Sequence, residues 1–283
     1  MTATLIAAGG ALVPATAASA ADPLPITVAN SATTGIPAGK TFKKVHNGNL
    51  VIKYANTVID GWDIRGTVRI DAPGAIIKNS RITGGANPGT AGLVQNVASG
   101  AQFTIVDSEI YATTQTPYAN GIFGSNFTAK RNDIHHVVDP IRVLNSNTYI
   151  YDNWLHDNLH FTSDPVQNGG PSHDDSIQIQ GGKNHNISGN RISGSHNAAI
   201  QIVQDKSRPR VEGILLSKNY LDGGGCTLNV APGYFTRINI TGNVFGPNRV
   251  HKGCGIITGN NTLPAMTSNI WDATRTKVGY VPR

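Results

Sequence analysis

Eight segments of the chain, each eight residues long, share one pattern of apolar and polar positions. Their eighth residue is always Ile, Leu or Phe, and their third is Ile or Leu except in one segment, which has Ala129. This alternation predicts short strands with one face buried in a common core. The segments are residues 57–64, 75–82, 103–110, 127–134, 148–155, 185–192, 214–221 and 238–245.

A shorter apolar-polar-apolar pattern recurs between these segments and sets the repeat length. The spacing from Ile177 to Ile200 is 23 residues, and from Ile200 to Leu228 and from Leu228 to Ile256 it is 28. Such spacings are typical of one turn of a β-solenoid, whereas a sandwich or propeller, the alternative, would show hairpin turns. The sequence therefore predicts an all-β, right-handed parallel β-helix with about eight or nine coils between residues 50 and 257.

The sixth position of the eight-residue segments is asparagine in the last five of them. Amides stacked at a turn can hydrogen-bond to one another and to the backbone along the stack. We therefore expect an asparagine ladder along one edge of the coils, made of Asn132, Asn153, Asn190, Asn219 and Asn243.

The remaining chain is organised around this repeat as a single domain, residues 21–283. Residues 1–20 contain an apolar run that ends at Ala18-Ser19-Ala20, a pattern typical of a signal peptide, and predict a secreted, extracellular protein. They have no basic start, so a plain alanine-rich N-terminus is the alternative. Because open solenoid ends expose strand edges, we expect an N-terminal cap at 26–47, coils at 48–260 and a C-terminal tail at 261–283.

Composition and charge bear on the binding partner. With 39% hydrophobic and 14% charged residues, the chain is typical of a folded protein, and Cys226 and Cys254 could pair or stack as thiols. A formal charge of +6 favours a polyanion, and in a secreted protein we expect an acidic polysaccharide rather than nucleic acid or a membrane. The charge could equally serve only solubility. We expect a monomer.

Coils that stack in register place residues of equal offset in columns about 4.8 Å apart. One column is polar and faces outward, and it could grip a polymer or be ordinary solvated surface: Arg142, Gln178, Gln201 and Asn229. A second column makes Asp139 and Asp175 neighbours, either as turn caps or as functional carboxylates.

Histidines and cations collect around the same middle coils. His173 is expected to stack with His196, and His135 and His156 occupy equivalent positions, although histidines on turns are commonly structural. A further column contains Lys183, Lys206 and Tyr234. The insertion at residues 157–172 could wall or cover this face.

This repeat resembles the pectate-lyase-like superfamily of parallel β-helices over residues 48–260. The resemblance implies activity on carbohydrate polymers, but a fold does not by itself determine a reaction. The small size, basic charge and secretion are similar to alginate lyases of polysaccharide lyase family 31. That similarity implies a catalytic lysine and tyrosine, for which Lys206 and Tyr234 are the candidates.

The leading hypothesis is β-elimination on a uronic-acid polysaccharide, with alginate as the first substrate to try. Such an enzyme neutralises the uronate, removes the α proton and protonates the leaving oxygen. Arg142 would neutralise, Lys206 or His173 would be the base, and Tyr234 or His196 would be the acid. The substrate-binding candidates are Gln178, Gln201, Asn229, Lys183 and Asp175.

Three alternatives stay open. The string His173-Asp174-Asp175 resembles the aspartate pair of polygalacturonases, which are hydrolases, although their Gly-His-Gly and Arg-Ile-Lys elements are absent. No cofactor is firmly implied, but calcium could assist a lyase through Asp139, Asp174 and Asp175. The third alternative is a carbohydrate-binding module without catalysis.

Overall fold

A computed structural model of the chain describes residues 29–84, 92–233, 235–259 and 263–283. The predicted signal peptide at 1–20 and the candidate Tyr234 lie outside the described residues. No helix in the described ranges is long and apolar enough to cross a membrane. The helical structure in those ranges is a 3₁₀ helix, Pro165–Gln167.

Short strands form nearly all the regular structure of the described residues. The first ten are β1 (Lys44–Asn47), β2 (Leu50–Ile52), β3 (Val58–Asp60), β4 (Trp62–Arg65), β5 (Val68–Ile70), β6 (Ala75–Lys78), β7 (Arg81–Gly84), β8 (Gly92–Gln95), β9 (Phe103–Val106) and β10 (Glu109–Ala112). The next ten are β11 (Asn120–Gly124), β12 (Phe127–Lys130), β13 (Asp133–His135), β14 (Ile141–Val143), β15 (Thr148–Tyr151), β16 (Trp154–His156), β17 (Asp175–Ile179), β18 (Lys183–Ser188), β19 (Arg191–Ser195) and β20 (Ala198–Ile202). The last are β21 (Glu212–Ser217), β22 (Tyr220–Gly223), β23 (Leu228–Val230), β24 (Thr236–Thr241), β25 (Val244–Phe245), β26 (Ile256–Thr258), β27 (Ala265–Thr267), β28 (Ile270–Trp271) and β29 (Tyr280–Pro282).

Every third strand belongs to the same sheet, so the described strands form three parallel sheets. Sheet A runs from β1 to β28, sheet B from β2 to β29 and sheet C from β3 to β27, and each coil of the chain visits all three. The predicted register holds, because Ile177 pairs with Ile200 and Ile200 with Leu228. The predicted all-β parallel β-helix is confirmed.

The core fills the space enclosed by the three sheets. The inward residues predicted from the repeat, such as Ile82, Ile110 and Ile134, are fully buried and pair across adjacent coils of sheet A. Burying an isoleucine contributes roughly 1.5–3 kcal/mol, and parallel sheets require such covered faces. The repeated apolar positions therefore stabilise the stack along its length.

The predicted asparagine ladder is confirmed at the turn between sheets C and A. Each side-chain amide donates to the next side-chain oxygen at 2.9 Å, from Asn132 onward to Asn269, which extends the predicted series by one residue. Serines continue the column at its N-terminal end, where Ser108 accepts the Ser80 amide at 3.2 Å. The ladder satisfies buried backbone groups that the turn leaves free.

Both ends of the stack differ from the predicted boundaries. The predicted tail supplies β27, β28 and β29, so the stack continues beyond residue 257. Residues 29–43 of the predicted cap run along the outside of the coils, because Gly35 donates to the Arg131 carbonyl at 2.9 Å and Lys43 to the Gly61 carbonyl at 2.6 Å. Residues 44–47 form β1 and pair with β4 as part of sheet A. Cys226 and Cys254 form a disulfide between adjacent coils, with their Cα atoms 4.9 Å apart.

Candidate functional site

The polar column predicted on sheet B is present. Arg142 pairs with Gln178, Gln178 with Gln201, and Gln201 with Asn229. The side chains are half-buried, and Asn229 donates from Nδ2 to Oε1 of Gln201 at 3.0 Å. At about 4.8 Å per strand, this row spans roughly 14 Å along the stack. We call these four residues the polar row.

A pair of buried aspartates lies beneath one edge of the polar row. The Asp175 amide donates to Oδ1 of Asp139 at 2.9 Å, and Nε of Arg142 lies 3.4 Å from Oδ2 of Asp139. Burial raises the pKa of Asp139 to about 7, against the opposing effect of Arg142. Burial, followed by the charge of Asp139, raises the pKa of Asp175 well above its usual range.

Asp175 was expected to bind substrate, and its burial corrects that expectation. It is 0% exposed, and its two oxygens accept from Nδ2 of Asn197 at 2.8 Å and from Nε2 of Gln178 at 3.2 Å. Alternation along a strand predicts which side chains point outward. Asp175, however, is the first residue of β17 and follows a turn, and its carboxylate points inward. Asp175 therefore supports the polar row from below.

Asp174 joins two histidines at the turn that leads into sheet B. Its Oδ1 lies 2.8 Å from Nδ1 of His160, and its Oδ2 lies 2.9 Å from Nδ1 of His196 and accepts the His196 amide at 2.7 Å. The two imidazole rings stack with centroids 4.1 Å apart. Asp174 is fully buried, whereas the side chains of His160 and His196 are 26% and 57% exposed. We call these three residues the histidine–aspartate cluster.

His160 is a site residue that the sequence reasoning missed. It lies in the predicted insertion, which folds back through a hydrogen bond from the Leu159 amide to the Val137 carbonyl at 2.9 Å. Asp164 closes the loop by accepting from Oγ of Ser172 at 2.7 Å. The sequence showed a histidine within an insertion next to the candidate coils. The repeat could not predict its position, because inserted residues have no counterpart in the neighbouring coils.

His173 does not stack with His196, contrary to expectation. It is exposed, and in the described part of the chain it has no hydrogen bond or ion pair. Because its neighbour Asp174 turns its carboxylate into the protein, His173 faces solvent. His160 occupies the stacking position instead.

The other predicted histidine pair lies on sheet A. The rings of His135 and His156 stack with centroids 5.2 Å apart. Burial lowers the pKa of His156, but hydrogen bonds to Asp133 and Asp157 outweigh it, so the pKa is raised overall. Both nitrogens of His156 are occupied, at 2.8 Å from Asp133 and 2.7 Å from Asp157. This pair is therefore a structural feature of the sheet surface.

The predicted cation column separates into two places. Lys183 is the first residue of β18 and lies beside Glu212 of β21 in sheet C. It is therefore separated from the polar row of sheet B by the turn between the two sheets. Lys206 is exposed at the other edge of sheet B, in a groove of about 710 Å³. We call this the basic groove, and it is lined by Gln204, Lys206, Arg208, Arg210, Pro232 and Gly233.

The predicted calcium set does not match calcium chemistry. Calcium takes six to eight oxygen ligands, whereas the oxygens of Asp174 face imidazole nitrogens and Asp175 bonds to amides. Nitrogen and carboxylate donors instead suit borderline ions such as zinc. The ligand atoms of His160, Asp174 and His196 lie within 4.8 Å of one another.

Comparison with known protein families, with characterised proteins and with solved structures finds no match to this chain. Function therefore has to be argued from the geometry. The outer face of sheet B and its two edges combine an imidazole held by a buried carboxylate, a row of hydrogen-bonding side chains and a basic groove. This arrangement can bind an extended anion and transfer a proton.

Proposed function

We propose that this chain is a secreted polysaccharide lyase that cleaves a uronic-acid polysaccharide by β-elimination on the outer face of sheet B. The observation that carries the proposal is the placement of the Asp174–His196 pair at one edge of the polar row, with the basic groove at the other. The resemblance to pectate-lyase-like proteins and to alginate lyases belongs to the same proposal. Alginate is the first substrate to try.

His196, expected from the sequence to be the acid, is the base in this proposal, in place of Lys206 or His173. Its Nδ1 lies against the Asp174 carboxylate, so the neutral ring carries its proton there and has a lone pair on Nε2. Nε2 takes the proton α to the uronate carboxylate, a carbon–carbon double bond forms, and the glycosidic carbon–oxygen bond breaks. The leaving oxygen then needs a proton from an acid. Tyr234 stays the predicted acid. Asp174 acts as a positioning residue.

Arg142 and the polar row would hold the uronate that reacts. A guanidinium beside the carboxylate stabilises the charge that develops when the α proton leaves. Hydrogen bonds connect the polar row to the proposed base. Asn197, which is next to His196 in the chain, donates to both Asp175 and Gln201. Lys206 and its neighbours would bind uronates further along the chain, rather than act as the base.

Hydrolysis by paired aspartates has less support from the geometry. A hydrolase needs two carboxyl groups that reach the sugar on either side of the bond. Asp174 and Asp175 are 0% exposed and Asp139 is 3% exposed. A substrate could reach these carboxyl groups only after the turn opened.

The test is a cleavage assay on alginate, polygalacturonate, glucuronan and hyaluronan, followed by ultraviolet absorbance of unsaturated uronates. New absorbance supports the lyase. Reducing ends without absorbance would indicate a hydrolase, and binding without products would indicate a binding module, and both results contradict the proposal.

A variant pair tests the assigned base. His196→Ala should lower kcat by about 100-fold or more, the usual contribution of a general base. The matched control is His251→Ala, an exposed histidine in a loop of the C-terminal coils, which should retain full activity. Full activity of His196→Ala on a substrate that the wild-type protein cleaves would refute this assignment.

A further inference from the structure

We propose that His160, Asp174 and His196 bind one divalent transition-metal ion of the zinc class. The binding site goes beyond the proposed function and does not depend on it. Three separate parts of the chain supply the residues: the insertion, the residue before β17, and the turn between β19 and β20. Only the tertiary fold brings them together.

The distances suit a shared ion. Zinc binds imidazole nitrogen and carboxylate oxygen at about 2.0–2.2 Å, so the ligand atoms around one ion lie roughly 3–4 Å apart. In the cluster, Nδ1 of His160 lies 2.8 Å from Oδ1 of Asp174 and Nδ1 of His196 lies 2.9 Å from Oδ2, slightly closer than ligands of a bound ion. One ligand atom from each residue lies within 4.8 Å of the other two. A small outward rotation of the half-exposed His196 ring would open the space for an ion.

The donor set selects the class of metal. Two imidazoles and one carboxylate are borderline donors that favour zinc, nickel, cobalt or copper over calcium or magnesium. The buried Asp174 lies at the base of the cluster, and the exposed edge of His196 faces solvent. Three protein ligands with one side open to water are typical of accessible zinc sites.

The surroundings hold two of the three ligands, Asp174 and His160, in place before any ion binds. The His196 amide fixes Oδ2 of Asp174 at 2.7 Å, and contacts to surrounding groups of this kind orient metal ligands. Asp164 accepts from Ser172 and from the Val166 amide at 2.7 and 2.8 Å, which closes the loop that carries His160. Asp174 and the loop that carries His160 are therefore already held, and the His196 ring is the ligand that has to move.

Metal binding would change the state of the proposed base. An ion on Nδ1 of His196 replaces the proton there, and the neutral ring then carries its proton on Nε2. The Nε2 atom has no lone pair left to accept a proton from substrate. We therefore expect zinc to inhibit the enzyme, and this consequence alone rests on the proposed function.

The experiment measures binding directly on the full, tag-free chain after treatment with a chelator. Zinc chloride is titrated calorimetrically, and cobalt chloride is followed by its visible absorption. We expect one ion per chain, and a roughly tenfold or greater loss of zinc affinity in His160→Ala and in His196→Ala. The His196 side chain is exposed and that of His160 is partly exposed, and circular dichroism checks that the variants fold.

His173→Ala is the matched control, because this exposed histidine is adjacent to Asp174 but outside the cluster, and it should leave zinc affinity unchanged. Zinc should also raise the unfolding temperature of the wild-type protein but not of His196→Ala. Absence of zinc binding, or equal affinity in the wild-type protein and both cluster variants, overturns the inference. Zinc binding without cleavage of any polymer would instead contradict the proposed lyase alone.

Discussion

Thr148 and His185 form a buried polar pair among apolar neighbours in the interior of sheet C. Along this column Phe127 is followed by Thr148, His185 and Ile214. The Thr148 hydroxyl lies 2.6 Å from Nδ1 of His185. Burial lowers the pKa of His185 to about 4, so the folded protein keeps this ring neutral under conditions that charge it in the unfolded chain.

This burial predicts a loss of stability in mild acid. The unfolded ring has a pKa of about 6.5, so stability is fully present above that pH and falls as the pH approaches 4, where the folded state also binds the proton. The difference corresponds to about 3 kcal/mol. The double variant Thr148→Val, His185→Leu should lose less stability than the wild-type protein in urea unfolding between pH 7.5 and pH 4.5.

The exposed His173 gives the control for this effect. The variant His173→Gln should keep the wild-type dependence of stability on pH, because no buried group is altered. Equal pH slopes for the wild-type protein and the double variant would show that His185 does not carry the effect.

The asparagine ladder is the element that joins one coil to the next at the turn between sheets C and A. Asn190 donates to Asn219 and to the Ile150 carbonyl, each at 2.9 Å, and its oxygen accepts the backbone and side-chain amides of Asn153. Since all these groups are buried, removing one member leaves several unsatisfied.

Replacing a ladder residue should therefore destabilise the fold. Asn190→Ala is expected to lower the free energy of unfolding by roughly 2–4 kcal/mol, the cost of unsatisfied buried amides. Asn239→Ala, an exposed asparagine on sheet C, should change it by less than about 0.5 kcal/mol. Denaturant unfolding measures both, and similar losses in the two variants would contradict a stabilising role for the ladder.

At the scale of the whole molecule, sheet B has a different functional group of residues at each of its two edges. The histidine–aspartate cluster lies where its strands begin, and the basic groove lies where they end. The formal charge of +6 is thus accompanied by a local cationic surface beside the polar row. Such a surface attracts polyanions and loses that attraction as salt is added.

Binding of an acidic polymer should depend on this groove. Replacing Lys206 and Arg208 with alanine should weaken binding to alginate by roughly 3–30-fold at low salt and reduce its salt dependence, as expected when two positive charges are lost from the groove. Lys53→Ala changes charge at an exposed site near the N-terminal end and serves as the control. Affinity measured by calorimetry between about 50 and 500 mM salt tests this. A groove variant that binds as the wild-type protein does would place the polymer elsewhere.

The regular part of the molecule could be predicted from the sequence because it repeats. Each coil must bury the same positions for parallel strands to pair, so Ile82, Ile110 and Ile134 indicate both the fold and its register. The same register placed the polar row and brought Cys226 next to Cys254. The prediction from the repeat failed at the C-terminal end, where strands continue past residue 257.

The histidine–aspartate cluster was decided by tertiary structure, because it depends on groups outside the repeat. His160 reaches Asp174 across an insertion whose path follows from its own hydrogen bonds, and no periodicity describes such a path. Asp175 and His173 were placed by a turn that points His173 outward and both Asp174 and Asp175 inward. The sequence by itself determined the coil, since its core repeats with every turn, whereas only the folded chain determined which polar groups meet where that repeat is broken.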